Sequence, residues 1–111
     1  MTFDPSPGEL RCLALIAGRE SGGRYNVLTG GGLFEGYGCF PAWPGHNGSH
    51  AAGAYQFEPA TWAWVAQECG LADFSPMSQS IAALWLLRKY GPNSPASWQA
   101  SGPYPTPQQL A

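Results

Sequence analysis

The sequence predicts a small α+β domain, mainly helical, with one short β-hairpin. Three observations predict it. Pro-led starts followed by apolar residues at helical spacing recur along the chain. One stretch, just after residue 24, is punctuated by three glycines and has strand character. The 15 Gly and 11 Pro make much of the remainder turn and loop. A chain of 111 residues is expected to form one domain over 1–111, with one modest core and an extended tail at 103–111.

The first helix starts at Ser6-Pro7, where Glu9 stands three residues after the serine, as in a capping box with Pro at the first helical position. Leu10, Leu13, Ala14 and Ala17 follow at helical spacing, and Gly22-Gly23 ends the helix after Ser21. The run from Tyr25 to Thr29 is a strand candidate, Gly30-Gly31-Gly32 a turn, and Leu33-Phe34 the start of a return strand. Residues 36–53 read as an irregular loop. A second helix begins at Pro59 and runs through Trp62, Val65, Ala66 and Cys69 to a Gly70 cap. A third begins at Ser75-Pro76 with Met77, Ile81, Leu84 and Trp85 on one face. Arg88-Lys89 sit in its last turn and Gly91 stops it. Ser94-Pro95 opens one short turn through Trp98, ended by Gly102, and residues 103–107 are expected to lie extended on the surface.

Composition excludes several classes. Hydrophobic content of 44% against 11% charged excludes disorder. A net charge of −2, with no basic cluster beyond Arg88-Lys89, gives no support for nucleic-acid binding. No apolar run approaches the roughly 18 residues of a membrane span. The first five residues lack a basic-then-apolar export pattern, so synthesis in a cytoplasm and no membrane insertion are expected. Cys12, Cys39 and Cys69 are an odd set with no CxxC spacing, which favours reduced thiols. Cys39, His46 and His50 match no zinc pattern, and neither metal nor cofactor is expected.

Two constellations carry chemistry. Leu13, Ile16, Ala17 and Glu20 fall on one helix face, so the core-forming face also presents one half-sheltered carboxylate, a setting that suits a general acid. The plainer reading of Glu20 is a solvated residue at a helix end. Gly53-Ala54-Tyr55-Gln56-Phe57 precedes the second helix. Either Tyr55 and Phe57 alternate into the core, or Gly53 lets backbone approach a ligand while Tyr55 and Gln56 point polar atoms into the cleft of Glu20. Arg19 and Arg24 flank the acid and are expected to turn away from it or to bind substrate carboxylates. Tyr37, Phe40 and Trp43 in the loop either stack on sugar rings or pack the loop down.

Taken in order and spacing, these residues resemble the lysozyme superfamily, and more narrowly the phage lambda endolysin group of lytic transglycosylases. The resemblance runs from about Leu13 to Leu84. It includes Glu20-Ser21, Tyr25-Asn26-Val27, Thr29-Gly30-Gly31, Leu33-Phe34, residues 52–57 and residues 70–79. It implies a lysozyme-like fold with the hairpin beside an active-site cleft, Glu20 as the catalytic acid, and peptidoglycan glycan strands as the substrate. Ser21, Gly53, Tyr55 and Gln56 are then substrate-binding, with Trp98 and Tyr104 a partial match to the family's Trp/Pro/Tyr end. It also implies a monomer made in a host bacterial cytoplasm that acts on the periplasmic cell wall after release, with a separate pore-forming partner. Asn26 stands where the family has Asp, and the chain is shorter after the third helix, with the long C-terminal helix reduced to residues 94–100.

Hydrolysis of a glycosidic bond usually needs a second carboxylate. Of Asp4, Glu9, Glu35, Glu58, Glu68 and Asp73, only Glu35 and Glu58 adjoin the expected cleft, and Glu35, next to the hairpin, is the better candidate. A transglycosylase needs none, since the sugar's own 6-hydroxyl attacks. The expected function is therefore cleavage of the MurNAc-GlcNAc β-1,4 bond with a 1,6-anhydro product. Two alternatives stay open: a hydrolytic muramidase using Glu20 with Glu35, and a non-catalytic glycan-binding or virion structural module.

Overall fold

The computed structural model describes residues 2–27 and 51–111. Helix α1 spans Pro7–Ser21 and begins on the expected capping box: Glu9 N donates to Ser6 Oγ at 3.2 Å and Ser6 N donates to Glu9 Oε1 at 2.8 Å. Gly22 ends it in the left-handed region at φ 69°, a conformation that costs glycine least. The buried stripe is Cys12, Leu13, Ile16 and Ala17, with Glu20 half-buried one turn on. It is centred near Ile16, so Leu10 and Ala14, expected in the core, fall at its margin and are exposed.

Helix α2 spans Pro59–Cys69 and stops at Gly70, also left-handed at φ 69°. Trp62, Val65 and Ala66 face the core, where the Trp62 ring meets Phe74 edge-on at 4.6 Å. Helix α3 spans Pro76–Tyr90, with Ser75 accepting from Ser78 N at its start and Arg88 and Lys89 in its last turn. The single apolar face expected for it is corrected: Met77 is 58% exposed, while Ser78 through Leu84, with Leu86 and Leu87, are buried. The reason is that α3 packs against both α1 and α2, and a helix covered on two sides buries more than one stripe.

The tail also departs from expectation. Turns follow α3, then a 3₁₀ turn at Gln99–Ser101 and a cis Gly102-Pro103 peptide. Tyr104, expected on the surface, is only 3% exposed, held by Asn93 through Asn93 Nδ2 to Tyr104 O at 2.9 Å and Tyr104 N to Asn93 Oδ1 at 2.7 Å. The chain then forms a one-turn helix α4, Pro107–Leu110, instead of staying extended to its end. The signal is local: Thr106 and Gln109 make the same reciprocal capping box as Ser6 and Glu9, and Pro107 occupies the position that Pro tolerates at a helix start. α4 lies against α1 at the buried Gly8, where a β-carbon would collide with Pro107 O.

Tyr25 and Asn26, expected to begin a strand, lie in a turn, and Val27 alone occupies a bridge position. The rest of the expected hairpin, residues 28–34, and most of the loop at 36–53 lie outside the described residues. Residues 52–57 fold back through one antiparallel bridge, with Ala52 N to Phe57 O and Phe57 N to Ala52 O both at 2.9 Å. Among the described residues no helix is long and apolar enough to cross a membrane. Cys12 and Cys69 are free and buried, and burial pushes both thiols above their usual range. Cys39, His46 and His50 lie outside the described residues.

Candidate active site

The segment 53–57 is brought to the end of α1 by two polar side chains. Ser21, buried beside Glu20, places its hydroxyl 2.8 Å from Ala54 O and 3.0 Å from Ala17 O, and accepts from Arg24 N at 3.1 Å. Gln79, 0% exposed on α3, accepts from Ala54 N at 2.9 Å and donates to Phe74 O at 2.7 Å and Tyr25 O at 3.1 Å. One buried amide thus ties three loops to one helix, with its bonds to Ala54 N and Phe74 O fully buried. Sequence reading missed it. The available signal was a glutamine inside an otherwise small and apolar helical run, which burial permits only when its polar atoms are all satisfied.

Gly53 is required here for a reason other than the one expected. Its φ is +85° and a β-carbon would strike the Gln79 and Phe74 side chains, so it makes room for the clamp and not for a ligand. Gln56 takes φ +51°, uncommon for a residue with a side chain, and donates from Nε2 to Gly53 O at 3.0 Å and Val27 O at 3.2 Å. Tyr55 is corrected as well. Its ring is buried among Tyr25, Phe57 and Trp98, and its hydroxyl lies 3.5 Å from that of Tyr25, which in turn pairs with Ser80 at 3.0 Å. Burial pushes the Tyr55 phenol far above the usual range, so it stays a neutral packing element. Its backbone carbonyl accepts from Trp98 Nε1 at 3.0 Å, which fixes the indole.

What these ties leave open is a groove of about 390 Å³ lined by Glu20, Gln56, Glu58, Ser97, Trp98 and Ser101, among others. The expected residues Glu20, Gln56 and Trp98 therefore meet at one surface. Ser21 and Gly53 stand behind it as supports, and Tyr55 lines a smaller adjoining pocket of about 160 Å³ that shares Gln56, Glu58 and Trp98 with the groove. Tyr104 also sits behind: its hydroxyl is 2.6 Å from Ser101 Oγ and the Arg19 guanidinium stacks 4.5 Å from its ring centre. Arg19 also donates to Pro103 O at 2.8 Å, and Arg24 Nε to Ser21 O at 3.2 Å. Both arginines are thus held by backbone oxygens. Among the described residues Glu20 forms neither an ion pair nor a hydrogen bond through its carboxylate. Glu35, Tyr37, Phe40 and Trp43 lie outside the described residues. A larger cavity, about 520 Å³ beside Ser6, Leu87 and Pro107, contains the Glu9–Arg88 pair, whose charges are already matched.

A family model described as Endolysin matches residues 11–96. Among solved structures, the chain is similar to bacteriophage lambda lysozyme complexed with a chitohexasaccharide, at 28% identity and a TM-score of 0.63. A second structure, lysozyme from bacteriophage lambda, is 27% identical with a TM-score of 0.63. Both alignments cover 80% of this chain and 66% of the other, so the chain spans a little under two thirds of these relatives' length. No match is found among the curated proteins.

Proposed function

The chain belongs to the endolysin family and has a lysozyme-like fold, and from that premise we propose that it cuts the glycan strands of bacterial peptidoglycan. The observation that carries this reading is Glu20: a carboxylate free of protein partners among the described residues, at the end of a buried helix face, in a groove with an immobilised indole. The Trp98 indole, only 5% exposed and held by its N–H, gives the groove a fixed wall against which a sugar is positioned. Glu20, protonated, hands its proton to the glycosidic oxygen between MurNAc and GlcNAc as the C1–O bond breaks. The MurNAc 6-hydroxyl then attacks C1 and gives its own proton to the Glu20 carboxylate, which restores the acid and leaves a 1,6-anhydro end. No water and no cofactor are consumed. The protein is made in the host cytoplasm and acts, as a monomer, on the wall after release.

Purified cell walls clear in suspension when the strands are cut, so turbidity reads the activity. Wild-type protein is expected to clear them and Glu20→Gln to reduce the rate by about 10³-fold or more, the scale for loss of an essential acid. Equal clearing by the two would sink the assignment. Mass spectrometry of the fragments then tests the route, because anhydro ends are one water lighter than reducing ends. Reducing ends alone would establish hydrolysis instead.

A further inference from the structure

We propose that Glu58 is a second catalytic carboxylate of this groove, stabilising the positive charge that builds on the sugar as its glycosidic bond breaks. The inference rests on the glycan-cleaving reading above. Glu58 is exposed and lines the same groove as Glu20, together with Gln56 and Trp98. Its side chain belongs to no other structure: among the described residues it forms no ion pair, and it makes no capping bond although it stands at the N-cap of α2. The N-caps of α1, α3 and α4 are Ser6, Ser75 and Thr106, and each accepts from its helix. Glutamate is a poor choice for that position on stability grounds alone.

Charge gives the direction of the argument. The described residues lining the groove include two carboxylates and no basic side chain. Such a lining repels an anionic polymer, so it does not serve ground-state attraction. It does favour an oxocarbenium-like centre, which is positive only while the bond is breaking. Glu20 begins the step protonated and donates its proton. The groove's other carboxylate, Glu58, exposed at its edge, is then the group that meets the developing charge.

The test uses soluble, uncross-linked glycan strands and the full chain. Glu58→Gln keeps the size and removes the charge; kcat is expected to fall roughly 10- to 100-fold with KM within about twofold. Glu58→Ser restores a capping side chain, so its melting temperature is expected to match or exceed the wild type while its kcat falls as far. Unchanged kcat in both variants, or a rise in KM alone, overturns the proposal. So do reducing ends in wild-type products that vanish in Glu58→Gln, since Glu58 would then be activating water. If the wild type releases no fragments at all, the glycan-cleaving reading itself fails, whatever Glu58 does.

Discussion

Gln79 and Gly53 are best considered together, because the first explains the second. The amide of Gln79 fills the space where a β-carbon on residue 53 would stand, and it satisfies Ala54 N in return. Replacing Gln79 by Leu keeps the volume but orphans one buried N–H and withdraws the donor from two carbonyls, Phe74 O and Tyr25 O. The expected cost is about 3 kcal/mol, read as a lower urea midpoint, since each stranded buried group costs roughly 1–3 kcal/mol. A loss below about 1 kcal/mol would show that the loop relaxes without the clamp. Glu20→Gln, by contrast, is expected to change stability by less than about 0.5 kcal/mol, because its carboxylate supports nothing. At this scale the catalytic candidate was legible and the clamp was not. Glu20 could be read from its own helix face, whereas the partners of Gln79 lie 5, 25 and 54 positions away.

Between elements, the start of α1 and the end of α3 are joined by Arg88, which donates from Nε to Glu9 Oε2 at 2.8 Å and from Nη1 to Asp4 Oδ1 at 3.2 Å. The hydrogen bond from Arg88 is the main reason the Glu9 carboxyl is held at about 2, down from 4.5. Since the folded value is the lower one, the stabilisation is complete above the unfolded value near 4.5. It fades as pH falls from there toward about 2. The Arg88 side chain is 43% exposed, so solvent screening reduces the contribution to about 1 kcal/mol. Glu9→Gln keeps a residue able to complete the capping box and removes the charge. Unfolding free energies from urea titrations at pH 7 and pH 3 should differ less for this variant than for the wild type, by part of that amount because pH 3 still lies above the folded value of about 2; an identical acid response would show that the pair contributes nothing. Helix bounds were legible at this scale, since Pro7, Gly22, Pro59, Gly70, Pro76 and Gly91 mark them by local backbone rules. The face of α3 was not, because both its sides are covered by helices distant in sequence.

Across the whole molecule, the C-terminal segment closes the back of α1. Cys12 Sγ donates to Pro105 O at 3.4 Å, Arg11 donates to Leu110 O at 2.7 Å, and Tyr104 enters the core. Gly8→Ala separates two effects of opposite sign. Alanine within a helix gains at most about 1 kcal/mol over glycine. Here its methyl meets the α4 backbone, and displacing that packing costs about 2–3 kcal/mol. The net expectation is destabilisation, with faster amide exchange across residues 104–111. A gain in melting temperature with unchanged exchange would show that α4 is not held against Gly8.

The sequence by itself determined where the three long helices start and stop, that a single acid ends the first of them, and the family the chain resembles. These follow from capping, proline and glycine stereochemistry and short-range periodicity, which act within a few residues. Only the tertiary structure decided that Gly53, Ser21 and Tyr104 support the groove instead of lining it, and that the tail is part of the core. Those outcomes depend on which distant segments compete for the same space and the same hydrogen bonds, and that competition leaves no mark in local spacing.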